Sequence, residues 1–418
     1  MEDAFPHFLL VLVVILGSAR LFGGLARLIG QPAVLGELLA GVVIGPSVLF
    51  HILGVHYHGG PLIDPKDETL HLLAELGVVI LLFEIGLETD VGKLLAVGGS
   101  STVVAVVGVV LPFAIGYAVC HFFGYEPLVG VVAGATLTAT SVGITARVLA
   151  ELRRLQDAES QIILGAAVLD DVIGLIILAV VSASIGGGDI RIEDMAKIAG
   201  LSFGFLAAAL GIGLLALPAL RWFMNQLEEG GLAHLFALLF ALAMAFLADW
   251  VQPRLTIVGA FAAGLVLAKL PQVHKIEEGI APIGHFIVPI FFVMTGAAVD
   301  VRLLNPLDPT NHAIMRVAGW LLAAAFLGKF LAGYAPFWFK GKKSAIGVGM
   351  VPRGEVGLIF ANAGKNVVGP SLYSALTLII MVTTFIVPPL LKFLLGVKRG
   401  SASPEPAAGV EDLTVEPA

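Results

Sequence analysis

Apolar runs of about twenty residues follow one another along almost the whole sequence, and this feature constrains the fold most. A helix of about that length crosses the hydrocarbon core of a bilayer, where every backbone polar group must be satisfied within the segment. Of the 418 residues, 58% are hydrophobic and only 13% are charged, whereas about a quarter of a soluble protein is charged. The chain is therefore predicted to be an all-α integral membrane protein with about thirteen transmembrane helices.

The predicted spans divide the chain at clusters of turn residues. They cover residues 8–28, 33–53, 70–88, 95–122, 127–150, 160–184, 196–222, 231–251, 255–270, 277–298, 313–339, 343–366 and 370–396. Beyond them the sequence turns to Ser, Pro, Ala and Glu. Because such a segment buries too little apolar surface to fold, we expect a transmembrane domain over 1–398 and a disordered tail over 399–418.

The charges indicate a topology and exclude several classes of protein. With an odd number of spans, one side of the membrane holds about twice as many Lys and Arg as the other, which predicts an outside N-terminus and a cytoplasmic C-terminus. We expect a multi-pass protein of the plasma (inner) membrane. The net charge of −7 and the single cysteine, Cys120, argue against a nucleic-acid binder and a disulfide scaffold. The sequence contains no phosphate-binding loop or Cys/His metal motif, so we expect no cofactor, no nucleotide-binding domain and no enzymatic activity.

Two adjacent aspartates lie near the middle of the sixth predicted span. A charge at that depth costs about 2.5–3.5 kcal/mol even on the most lenient insertion scale, so each one indicates a function. Neighbouring helical residues point about 100° apart, so Asp170 and Asp171 must face different surroundings. One carboxylate can line a cavity while the other meets a neighbouring helix.

Other charges are candidates for the same site. Lys329 is predicted near the middle of the eleventh span, about ten residues from either end, where an ion pair with an aspartate would neutralise both groups. Glu84 lies within two predicted turns of the cytoplasmic end of its span. It is either a lining residue of an ion path or a packing residue.

Two predicted spans are interrupted. The fifth carries Thr138, Thr140 and Ser141 between glycines, and the twelfth carries Pro352 among glycines, with Arg353 and Glu355 beside it. Non-helical backbone at membrane depth is tolerated only where it is buried or lines a cavity. The fourth to sixth and the eleventh to thirteenth spans form two triplets of opposite topology, which is typical of a transporter with inverted repeats.

Several motifs in combination resemble the cation/proton antiporters, in the paired-aspartate branch that includes the NapA-like sodium/proton antiporters. They are QPAVLGELLAGVVIGPSVL, LLFEIGLE, ATSVGITARVL, AAVLDDVIGL, FFVMTGAAVD and MVPRGEVGL. The resemblance implies an NhaA/NapA-like fold with crossed discontinuous helices. It implies a core (about 95–184 and 313–396) that moves against a dimerisation scaffold (about 8–88 and 231–298), with a linker helix (196–222), in a homodimer.

The resemblance also implies roles for individual residues. Asp171 matches the aspartate that binds the cation and carries the proton. Asp170 matches the aspartate that pairs with a lysine, here Lys329, and completes the Na⁺ site. Thr140 and Ser141 match the polar stretch of the first crossing helix, and with Glu84 they are candidate cation ligands.

The function implied is exchange of Na⁺ or Li⁺ for H⁺, electrogenic and driven by alternating access of a midplane aspartate site. Potassium/proton antiport with the same fold is the alternative. Potassium-efflux relatives usually have Gln-Asp in place of the pair and a nucleotide-binding domain after the membrane part, whereas this chain has Asp-Asp and a short tail. Two other classes fit the sequence less well. An intramembrane aspartyl protease needs aspartates that converge from two helices, whereas Asp170 and Asp171 are adjacent on one. A channel is expected to have a carbonyl filter or a charged ring.

Overall fold

The computed structural model describes residues 4–54, 61–65, 67–185, 192–228, 232–253, 255–298 and 311–396. Within these ranges the regular structure consists of seventeen α-helices and one π-helical turn, with no strand. Ten helices are long and apolar enough to cross a membrane by length and composition. The predicted all-α membrane fold is confirmed, and the count of thirteen spans stays a prediction.

The helices follow the predicted spans in order. Their bounds are α1 Ala4–Leu28, α2 Ala33–Ile44 (continued by the π-helical turn Pro46–Phe50), α3 Glu68–Glu88, α4 Val91–Ala96, α5 Gly98–Phe122, α6 Pro127–Thr136, α7 Val142–Glu151, α8 Ala158–Ile185, α9 Ile192–Leu215, α10 Leu217–Glu228, α11 Ala233–Val251, α12 Thr256–Leu267, α13 Val273–Ala297, α14 Asn311–Ala332, α15 Lys343–Gly349, α16 Glu355–Ala363 and α17 Lys365–Leu395.

The long helices pack in two groups. Bundle I contains α1, α2, α3, α11, α12 and α13, and bundle II contains α5, α6, α8 and α14–α17. Helix α7 contacts both bundles, through α2 and α3 on one side and α8 and α17 on the other. The bundles therefore meet along the half-helix that follows the first break.

Small residues bring the backbones of bundle I close together. A Cβ built at Gly41 of α2 would lie 2.0 Å from the carbonyl oxygen of Val293 on α13, and Gly86 of α3 is similarly close to Gly264 of α12. Helices in a bilayer associate largely through such close backbone packing, because lipid tails are as apolar as the side chains. These glycines fix the spacing of α2, α3, α12 and α13.

Both predicted breaks are present. Extended segments separate α6 from α7 (137–141) and α15 from α16 (350–354). The two segments cross, and the Ser141 N–H donates a hydrogen bond of 2.8 Å to the Pro352 carbonyl. The crossing satisfies backbone groups that neither half-helix can satisfy alone, which explains why an irregular backbone is tolerated here.

Three predicted spans differ from the helices observed. The eleventh ends at Ala332 instead of residue 339, so Lys329 lies in the last turn of α14 and not at the midpoint of a long helix. The apolar run continues, but Gly333 abuts the backbone of Gly347 and Pro336 cannot extend a helix.

The seventh and ninth predicted spans also need correction. The seventh divides at Ala216 into α9 and α10, and Pro218, which lacks a backbone N–H, occupies the first turn of α10. The ninth contains an α-helix of only 12 residues, α12, which is shorter than the usual span. Hydropathy alone does not reveal such interruptions, because apolar residues continue through them.

Candidate ion-binding site

Asp170 and Lys329 form a buried ion pair. Asp170 lies near the middle of α8, and its Oδ2 and Oδ1 accept hydrogen bonds of 3.1 and 3.3 Å from Lys329 Nζ. The side chains are 2% and 0% exposed, respectively. Burying either charge alone would be very unfavourable, so each makes the other tolerable at this depth.

The end of α14 suits a cation. Lys329 lies in its last turn, where unpaired carbonyls give a helix its partial negative charge. Gly108 of α5 leaves room for the side chain, since a Cβ there would already contact Lys329 Cδ at 3.5 Å. A lysine side chain on a helix points back toward the N-terminus, which allows Nζ to reach the level of Asp170.

Asp171 has different surroundings from Asp170. It is partly exposed, whereas Asp170 is buried, as their angular separation on one helix predicts. The pair thus offers one carboxylate held by a lysine and a second that is more accessible.

Arg353 closes the crossing of the two broken helices. It is fully buried, and its guanidinium donates hydrogen bonds to the carbonyls of Leu137 (3.2 and 2.6 Å), Ala325 (3.0 Å) and Val351 (2.8 Å). Leu137 is the C-terminal cap of α6. A permanent positive charge therefore sits at the negative end of this half-helix.

Most hydroxyl groups near the crossing already have partners. Thr140 donates to the Met350 carbonyl (3.3 Å) and Thr145 to that of Gly349 (2.7 Å), both at the end of α15. Thr138, in the break, donates to the carbonyl of Ala135 near the end of α6, and Thr384 donates to the Arg353 carbonyl. These threonines hold the broken segments together.

Ser141 differs from these threonines. Its side chain is buried, and its hydroxyl finds no hydrogen-bond partner among the residues that the structure describes. Gly354 faces it: a Cβ built there would lie 2.6 Å from Ser141 Oγ. Of the two predicted cation ligands on this segment, Thr140 is fixed by the hydrogen bond that it donates, whereas Ser141 has no such bond among the described residues. The oxygen of each hydroxyl keeps its lone pairs.

The remaining predicted site residues lie elsewhere or cannot be placed. Glu84 is partly buried on α3 of bundle I, and its carboxylate packs against Gly284 of α13. Glu355 begins α16, and its side chain lies outside the part of the chain that the structure describes.

Sequence reasoning missed two charged residues. Arg147 and Glu151 lie one turn apart on α7 and form an ion pair of 3.2 Å between Nε and Oε1. Their (i, i+4) spacing is a recognisable pairing signal on a helix. The same spacing is common on solvated helix faces, however, and does not reveal that α7 lies between two bundles.

The chain is similar to known proteins along most of its length. Residues 11–396 match the family described as "Sodium/hydrogen exchanger, transmembrane". The chain belongs to this family. A relative named the high-affinity Na⁺/H⁺ antiporter NhaS3, from Synechocystis sp., is 39% identical to this exchanger, and the match covers 95% of the chain and 92% of the relative.

Two further comparisons extend the match. The Na⁺/H⁺-K⁺ antiporter GerN from Bacillus cereus is 33% identical to this exchanger over 94% of the chain and 97% of the relative. Among solved structures, the sodium proton antiporter MjNhaP1 from Methanocaldococcus jannaschii is similar with a TM-score of 0.65, at 16% identity, over 96% of the chain and 99% of that structure. At this identity the structural likeness shows the fold alone.

Proposed function

We propose that this exchanger moves Na⁺ or Li⁺ across the membrane in exchange for H⁺ at Asp171. The observation that carries the proposal is the buried ion pair between Asp170 and Lys329. Asp171 lies next to Asp170 on the same helix, in a fold with two crossed, broken helices. The relatives named Na⁺/H⁺ antiporters support the choice of ions. Asp171 holds either a proton or a cation, and this competition couples the two fluxes.

The chemistry of the site fits a small hard cation, which prefers oxygen ligands. Asp171 supplies a carboxylate that is partly accessible, and Ser141 supplies a hydroxyl that makes no hydrogen bond within the described part of the chain. Arg353 and Lys329 are held by hydrogen bonds to Leu137 and Asp170. A proton and a cation cannot both occupy one carboxylate usefully, so binding of one releases the other.

Lys329 and Asp170 determine whether each transport cycle moves a net charge across the membrane. If cation binding also draws Asp170 away from Lys329, the lysine loses its counter-ion and releases a second proton. Two protons then move for each monovalent cation, and the cycle is electrogenic. If the ion pair persists, Lys329 remains a structural counter-ion and exchange is one for one.

The alternating movement is assigned to bundle II. Helix α8 carries Asp170 and Asp171, α14 carries Lys329, and Arg353 lies between α15 and α16. These helices belong to bundle II, so the site moves with this bundle as the core. Bundle I is then the scaffold and the dimer contact, and α9 with α10 is the linker. The N-terminus is placed outside the plasma (inner) membrane and the C-terminus in the cytoplasm, because this topology gives the excess of Lys and Arg on the inner side.

Potassium is the competing substrate, and one observation favours it: the relative GerN is named a Na⁺/H⁺-K⁺ antiporter. The same carboxylate can hold the larger ion if Ser141 and water complete its shell. Stepwise addition of Na⁺, Li⁺ and K⁺ to the same vesicles separates these substrates.

The experiment measures dissipation of a pH gradient in proteoliposomes on adding each cation. We expect Na⁺ and Li⁺ to collapse the gradient in the wild type. Asp171→Asn should abolish exchange for every cation, because an amide neither releases a proton nor supplies a charge. The matched control is Asp249→Asn, at an exposed aspartate on α11, which should exchange normally. Sodium-driven proton flux retained in a folded Asp171→Asn protein would refute the assignment.

A further inference from the structure

A second group of charges lies where the two bundles meet. Glu151, the last residue of α7, accepts a hydrogen bond of 2.5 Å through Oε2 from the backbone N–H of Ala33. Ala33 is the first residue of α2 in bundle I. The carboxylate therefore caps the positive end of a helix of bundle I, and its other oxygen forms an ion pair with Arg147.

The spacing along both helices places a third residue in the group. Glu37 lies one turn after Ala33 on α2, and Arg147 lies one turn before Glu151 on α7. Among charged side chains, that of Arg147 acts most strongly on Glu37, followed by those of Glu151, Arg20 and Arg27. Helices α2 and α7 are in contact, and the positive charge of Arg147 attracts the carboxylate of Glu37.

Glu37 is buried to an unusual degree for an acid. Its side chain is 4% exposed, and its Oε2 has no hydrogen-bond partner within the described ranges. A buried carboxylate without full hydrogen bonding is unfavourable unless a nearby cation compensates. Arg147 supplies part of that compensation, and its charge also acts on Glu84 of α3 and His285 of α13. One arginine of α7 is therefore the cationic centre of a seam formed by three helices of bundle I.

We propose that Glu37, Arg147 and Glu151 form an ionic latch between the bundles that favours the conformation seen here. The inference rests on the proposed alternating movement of bundle II, with α7 moving as part of it. A hydrogen bond is lost once its atoms separate beyond about 3.5 Å, so sliding of α7 along α2 breaks the Glu151–Ala33 contact. Such sliding also changes the separation between Arg147 and Glu37. The latch thus sets how often the bundles exchange between their two positions.

Distance measurements between spin labels test the latch without using transport. The labels are placed on exposed aromatic positions at helix ends, one in each bundle: Phe122→Cys on α5 and Trp250→Cys on α11. The native thiol is removed by Cys120→Ser. In this background Glu37→Gln, Arg147→Gln, Glu151→Gln and the double variant Glu37→Gln/Arg147→Gln are compared. The controls are Glu278→Gln on α13 and Arg221→Gln on α10, both at exposed positions.

Two inter-bundle distances are expected, one for each position of the bundles. Arg147→Gln and Glu151→Gln should each change the ratio of the populations at these two distances by about fivefold or more, which lies in the range of typical coupling free energies. The effects of Glu37→Gln and Arg147→Gln should be non-additive, because the two residues act on each other. The controls should retain the wild-type ratio. Unchanged ratios in Arg147→Gln and Glu151→Gln would overturn the latch, as would strictly additive effects.

If Arg147→Gln does not fold, Glu151→Gln and Arg147→Lys decide the question by the same ratio, since both retain a hydrogen-bonding group. The result is independent of the proposed function. Loss of transport in Asp171→Asn concerns the ion site, whereas these distances are measured in a protein that need not transport. A protein with the expected distance shifts but no cation-driven proton flux would retain the latch and lose the antiporter assignment.

Discussion

The two broken helices are alike in backbone and different in charge. The end of α6, at Leu137, receives the guanidinium of Arg353 from the second break. At the end of α15, the carbonyls of Gly349 and Met350 receive the neutral hydroxyls of Thr145 on α7 and Thr140 in the first break. We call each set of hydrogen bonds that caps the end of a half-helix a closure. The closure at the end of α6 carries a permanent charge, and the closure at the end of α15 is neutral. The repeat provides the architecture, and its asymmetry provides the electrostatics of an ion site.

A second difference lies at the positions where the half-helices resume. Ser141 precedes α7 and Gly354 precedes α16, so each is the N-cap of its half-helix. One position supplies a hydroxyl group, and the other has no side chain and leaves that hydroxyl room. Under the proposed function, the first break supplies a ligand and the second supplies the space beside it.

The largest expected effect comes from removing the charged closure. Arg353→Met leaves the Leu137 carbonyl at the end of α6 without its donors, and hydrogen bonds from a charged group contribute about 1.5–3 kcal/mol each. We expect the free energy of unfolding to fall by on the order of 3 kcal/mol or more, against about 1 kcal/mol for Thr145→Val at the neutral closure. Thermal unfolding in detergent measures both, with Arg221→Met as control. Equal losses in the two variants would remove the electrostatic asymmetry.

A smaller effect is expected from filling the space beside Ser141. Gly354→Ala places a Cβ 2.6 Å from Ser141 Oγ, whereas a Cβ at Gly143 lies at an ordinary 3.5 Å from Leu81. Gly354→Ala should weaken the apparent Na⁺ affinity about tenfold, equivalent to about 1.4 kcal/mol, and Gly143→Ala should not. Half-saturation for Na⁺ in proteoliposomes gives the comparison. An unaltered affinity in Gly354→Ala would mean that the ion does not use this space.

The smallest effects separate two neighbouring hydroxyls. Ser141→Ala removes an oxygen without a partner, so it should weaken cation affinity a few fold and leave stability nearly unchanged. Thr140→Val removes a hydrogen bond to Met350, so it should lower stability by about 1 kcal/mol and leave affinity nearly unchanged. Thermal unfolding and Na⁺ half-saturation are measured on both variants. The opposite assignment of the two effects would make Thr140 the ligand.

The parts of this site that could be predicted have local signals. Glycine, proline and hydroxyl residues inside an apolar run marked both breaks, and charge at membrane depth marked Asp170, Asp171 and Lys329. These signals require no knowledge of tertiary contacts. The end of α14 at Ala332 was missed although Gly333 and Pro336 follow it, because the apolar run continues past them.

The unpredicted parts depend on segments far apart in the chain. Arg353 and Leu137 are separated by 216 residues, and Ala33 and Glu151 by 118. Arg353 was recognised as a charge at the break, but its carbonyl partners follow only from the crossing. Likewise, Arg147 gains its significance from bundle packing, which no short sequence pattern encodes.

The central claim is that a cation displaces protons at Asp171, and proton release on binding tests it most directly. Na⁺ is added to purified exchanger in weakly buffered detergent solution, and the protons released per bound cation are counted. We predict about one proton for one-for-one exchange and about two if Lys329 also releases one, with apparent affinity weakening up to about tenfold per unit as pH falls. Asp171→Asn should release none. Na⁺ binding to the wild type without proton release at any pH would contradict the account.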